Sequence, residues 1–170
     1  TLKRIESGIR FLEADDDAYR AFVIANRAIW MQQCHFKLDT RTIDQPFIDP
    51  SEKLHDYSDR GWRPFQLAFI LMNVGSIPTS QNPSPDHGNI VDLIWFPTGG
   101  GKTEAYLGLS AFAIVYSRLK NDIGTEGTEI IMRYTLRLLT SQQFQRASTL
   151  VMALEHIRTN VDLSIIGCES

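Results

Sequence analysis

Cysteine is scarce in this sequence. Cys34 and Cys168 lie far apart, with no CxxC spacing, so neither a zinc site nor a disulfide framework is indicated. A reducing cytoplasm is the plain reading. Long hydrophobic runs are missing as well. None approaches the roughly 18 residues that span a bilayer, the start carries no signal peptide, and no membrane partner is expected. Charge of one sign is not in excess: the formal net charge is −3. That balance neither advertises nucleic-acid binding nor forbids it, because a local basic patch can sit on an acidic domain. There is no internal repeat, low-complexity tract or heptad seam. With 43% hydrophobic and 22% charged residues, the 170-residue chain suits one globular core with room for a small appendage. It opens on Thr1 and closes on CES in mid-pattern, from which an excerpt of a larger protein is expected.

What is present is organised around one glycine cluster. Ahead of it, DDDAYRAFVIANRAIWMQQC sets Ala18, Phe22, Ala25 and Ile29 near one face, and its leading aspartates suit a helix start. From His35 to Arg60 the pattern dissolves into a connecting stretch. WRPFQLAFILMNV predicts a buried helix with Pro64 in its first turn. SIPTSQNPSPDHGN, with its prolines and glycine, predicts a loop or tether. Ile90–Phe96 is a continuous apolar strand signal broken only by Asp92. After the glycines, Thr103–Leu119 predicts a helix, NDIGTEGT a turn and EIIMRYT a second strand. SQQFQRASTLVMALEHI predicts another helix, carried by Phe144, Leu150 or Val151, Leu154 and Ile157, and VDLSIIG a third strand. The order β-α-β-α-β favours a parallel sheet with helices on both faces.

The cluster itself reads FPTGGGKTEAYL. Gly99, Gly100 and Gly101 let the backbone wrap closely and turn its amides inward, where side chains would crowd a phosphate. The helix beginning near Lys102 adds unpaired N–H groups and a field that favours anions. The Lys102 ammonium can reach the β- and γ-phosphates as a mobile charge, and the Thr103 hydroxyl offers magnesium the hard oxygen ligand it prefers. The strict pattern GxxxxGK[ST] requires glycine where this chain has Phe96. A phosphate cradle is nevertheless preferred over an empty glycine turn, because lysine and threonine follow at the right place.

Residues around the loop carry a family resemblance. RPFQ (Arg63–Gln66) resembles the adenine-reading glutamine motif of superfamily 2 helicases, FPTGGGKTEAYL their first motif, and TLRLLTSQQ (Thr135–Gln143) their next. In the last, Arg137, Leu139 and Gln142 match that pattern, while Thr135 and Leu136 depart from it. Together, WFPTGGGKTEAYLGL and MRYTLRLLTSQQFQRA resemble the large helicase-like component of bacterial DISARM anti-phage defence systems, over Trp62 to Ile157. The resemblance implies a three-layer α/β/α P-loop NTPase (RecA-like) fold, with residues 1–60 as a helical segment and linker and 61–170 as the N-terminal part of the first motor domain. It implies a nucleic-acid-dependent ATPase, helicase or translocase. ATP and magnesium would be held by Arg63, Gln66, Pro97, Thr98, Gly99, Gly100, Gly101, Lys102, Thr103 and Glu104, with Lys102 and Thr103 at the chemistry and Thr103 on the metal.

Thr135, Arg137 and Gln142 would grip a nucleic-acid backbone, with DNA favoured over RNA. The implied partners are a second RecA-like domain and other defence subunits. Plainer readings stand beside these. Gln66 also suits an amphipathic helix surface, Arg63 an ordinary ion pair, and Arg137 with Thr135 a solvated helix start. Trp62 and Phe65 suit packing better than base stacking. Arg133, Arg146 and Arg158 suit solvated faces or salt bridges. Asp162 opens a predicted strand rather than ending it, so it is a poor acidic group for catalysis, and the chain alone is expected to be inactive. The rival class is an ATP-gated interaction or switch module without translocation.

Overall fold

The computed structural model describes residues 1–35, 61–77, 91–95, 97, 99–120, 127–133 and 137–160. Their regular structure is helical: α1 (Leu2–Ala14), α2 (Asp16–His35), α3 (Pro64–Asn73) ending in a 3₁₀ turn at Val74–Ser76, α4 (Lys102–Lys120) and α5 (Arg137–Asn160). α2 begins where the sequence signals it. The Asp15 carboxylate accepts from the amides of Asp17 and Ala18 at 3.0 and 3.1 Å, and Asp16 and Asp17 lie in the first turn, so the acids sit at the positive end of the helix.

The core is built by helix on helix. α2 packs against both α4 and α5, α3 against α4, and α1 against α3. The inner stripe of α2 is largely small: Ala18, Ala21, Ala25 and Ala28 are buried, with Ile24, Ile29 and Met31 between them. Small side chains at such a seam let the axes approach closely. The facing side of α4 supplies Leu107, Ala111, Phe112 and Tyr116, and α5 supplies Leu150, Ala153 and Ile157. α1 crosses α3 at Gly8, where an added Cβ would stand 1.8 Å from the Leu71 carbonyl oxygen. No side chain fits there without moving backbone.

One polar knot ties the α1–α2 corner to the end of α4. The Tyr116 hydroxyl donates to Asp15 Oδ2 at 2.9 Å, and Lys120 Nζ lies 3.1 Å from Asp15 Oδ1 and 3.0 Å from Asp17 Oδ2. Phe11 meets the Tyr116 ring edge-on and Phe112 stacks on it, with centroids 5.6 and 5.4 Å apart. Burial pushes the Asp15 carboxyl up, but Lys120, the Ala18 amide and the Tyr116 hydroxyl together hold it below its ordinary value. Burial and the Asp15 charge push the Tyr116 phenol up.

The expected three-layer α/β/α, RecA-like fold is overturned. No strand and no sheet occurs among the described residues. Residues 91–95 and 129–133, within the first two predicted strands, have no regular structure, and VDLSIIG lies outside the described residues. The physical reason is visible in exposure. Val91, Leu93, Trp95 and Ile131 are 93, 83, 90 and 87% exposed, so the apolar runs cover no sheet face. A strand also needs a neighbour for its backbone groups, and here the core that such strands would fill is closed by α2, α4 and α5.

Candidate functional site

The glycine loop lies between residues 91–95 and the first turn of α4, and each of its flanks is tied to a different helix. On the entering side, Arg4 of α1 donates through Nη1 and Nη2 to the two Asp92 carboxylate oxygens at 2.6 and 2.7 Å, and through Nη2 to the Met72 carbonyl at 3.1 Å. The hydrogen bond to Arg4 holds Asp92 below the usual carboxylate range. Sequence reading missed this pair, although an aspartate interrupting an apolar run is a signal that a cation must meet it.

The loop carries its own turn. The Gly100 amide donates to the Pro97 carbonyl at 3.2 Å, and Gly99 and Gly101 have φ of +79° and +88°, the region that favours glycine. Lys102 Nζ reaches back to the Pro97 carbonyl at 3.4 Å, so the ammonium spans the loop. α3 grips the loop from one side. Arg63 Nη1 donates to the Gly100 carbonyl and Gln66 Nε2 to the Gly101 carbonyl, both at 2.7 Å. Gln66 Oε1 accepts from the Arg63 amide at 2.8 Å, which also satisfies the start of α3. Gln66 is only 5% exposed. Both ends of its amide are thus engaged within the chain.

That grip has a directional consequence. In a trans peptide the carbonyl and the following N–H point in opposite directions, and the described chain has no cis bond. Fixing the Gly100 and Gly101 carbonyls toward α3 therefore turns the Gly101 and Lys102 amides away from it. On the exit side, Glu104 in the first turn of α4 pairs with Arg146 of α5.

Of the residues expected to hold nucleotide, the structure brings together Arg63, Gln66, Pro97, Gly99, Gly100, Gly101, Lys102, Thr103 and Glu104. Thr98 lies outside the described residues, as does Thr135 among the expected nucleic-acid contacts. Arg137 opens α5, and Gln142 is exposed on its second turn. Arg146 and Arg158 are salt-bridged, the latter to Glu155 within its own helix. No group of three or more metal-ligating side chains occurs among the described residues, and no described helix is long and apolar enough to cross a membrane.

No protein-family model matches the chain, and no solved structure matches it. It is similar to a curated protein of Bacillus paralicheniformis named DISARM protein DrmA, with 41% identity over 167 residues. That match covers 93% of this chain but 14% of the relative. The chain is thus related to DISARM protein DrmA over nearly all of its own length.

Proposed function

We propose that this chain is the ATP-binding part of a nucleic-acid-dependent ATPase, of helicase or translocase type, that serves in anti-phage defence. The role in defence rests on the similarity to a DISARM protein. The nucleotide reading rests on one observation: Arg63 and Gln66 hold two successive glycine-loop carbonyls, which turns the Gly101 and Lys102 amides away from α3.

The residues fit a polyphosphate in chemical type. The positive-φ glycines keep the backbone free of side chains, the helix start and Lys102 supply positive charge, and the Thr103 hydroxyl is a hard donor for magnesium. ATP brings a cleavable phosphoanhydride, while the chain's own part is to bind, orient and neutralise. Further motor elements, DNA and other defence subunits are the partners this reading assigns.

The test is phosphate release by the intact protein with single- or double-stranded DNA or RNA added. DNA-stimulated turnover is expected, and Lys102→Ala should lower it by about 100-fold or more, the scale seen when one charge-stabilising group is removed. Turnover unchanged in that variant overturns the reading.

A further inference from the structure

Glu104 is an awkward neighbour for a phosphate site. It lies in the first turn of α4, where a carboxylate is stabilised by the helix field. A Cβ on Gly101 would stand 3.4 Å from Glu104 Oε2, so the carboxylate faces the loop. An anion arriving there meets a resident anion already occupying the positive end of the helix. The other carboxylate oxygen, Oε1, is paired with the Arg146 guanidinium. Both side chains are half-buried, at 26% exposure for Arg146 and 18% for Glu104, where opposite charges screen one another more strongly than in open water.

We infer that Arg146 of α5 is a positioning residue that neutralises Glu104 beside the glycine loop and so sets the loop's affinity for nucleoside polyphosphates. The inference rests on the phosphate reading of that loop. It gives α5 a hand in nucleotide affinity without touching the ligand. Whatever displaces α5 releases Glu104 to compete with phosphate.

The test is calorimetric binding of ATP, ADP and adenosine to the intact protein and its Arg146→Gln, Glu104→Gln and double variants, at low and high salt. Arg146→Gln should weaken ATP roughly three- to ten-fold at low ionic strength, ADP less, and adenosine not at all, with the loss shrinking in salt. Glu104→Gln should tighten ATP, and the double variant should recover the affinity that Arg146→Gln loses. Equal weakening of ATP and adenosine would show a merely structural role. A double variant as weak as Arg146→Gln would mean that Arg146 acts on the ligand directly, and either result overturns the inference. Wild-type ATP binding that survives Lys102→Ala, or no binding at all, instead brings down the phosphate reading and this inference with it.

Discussion

At the scale of single residues, Gln66 shows how a motif and its surroundings assign different work to the same side chain. Its resemblance to an adenine-reading glutamine asks for an amide open to a base edge. In the structure that amide is buried, with Oε1 on the Arg63 amide and Nε2 on the Gly101 carbonyl. A base could claim it only by exchange for those bonds. As a brace, Gln66 acts on the loop's backbone and therefore on phosphate binding in general. Gln66→Ala removes two hydrogen bonds, together worth about 1–3 kcal/mol. It should weaken ATP and GTP by the same factor, as measured by competition binding. A loss confined to ATP would restore the base-reading role. The residue types and spacing made the loop, Lys102 and Gln66 legible in the sequence. The partners of Asp92 and Glu104 were not, because Arg4 and Arg146 are distant in sequence and only packing selects them.

At the scale of elements, four helices were readable because their apolar periodicity and start signals agree. Pro64 does stand in the first turn of α3, and Asp16 and Asp17 in that of α2. α1 was passed over. Gly8 lowers helix propensity in mid-segment, yet it is the residue that admits the Leu71 carbonyl. Within α5 the face was read only in part: Leu150 and Ile157 are buried, whereas Phe144 is 71% and Val151 54% exposed. The strands failed for a different reason, since a short apolar run carries no information about whether a neighbour will pair with it.

The α1–α2 corner gives an element-scale test. The folded Asp15 pKa is depressed, so its contribution is present above the unfolded carboxylate value and is lost as pH falls through the folded one. Melting temperature should therefore drop in acid below about pH 4. Asp15→Asn keeps a capping side chain but lacks the charge for Lys120, and should be less stable at neutral pH with a shallower acid drop. The drop from Asp92 remains in both proteins. Parallel melting curves for wild type and variant across that range would remove the assignment.

At the scale of the whole molecule, the first two helices and the loop-bearing helix share one core. α2 covers α4 and α5, and Phe112 and Leu107 of α4 are at most 2% exposed, as are Leu150 and Ile157 of α5. Fully exposing side chains of this size costs about 1.5–3 kcal/mol each, comparable in sum to the entire 5–15 kcal/mol stability of a typical domain. Deleting residues 1–35 also removes Arg4 from Asp92 and Asp15 from Tyr116 and Lys120. The truncated protein keeps every residue of the glycine loop, yet it should lose helical circular dichroism well beyond the deleted segment. Lys102-dependent ATP binding should disappear with it. A truncated protein that melts cooperatively and binds ATP as the intact one does would show that the loop and its helices stand without α1 and α2. The brace from Arg4 would then be dispensable, and the phosphate site would be organised by α3, α4 and α5 alone.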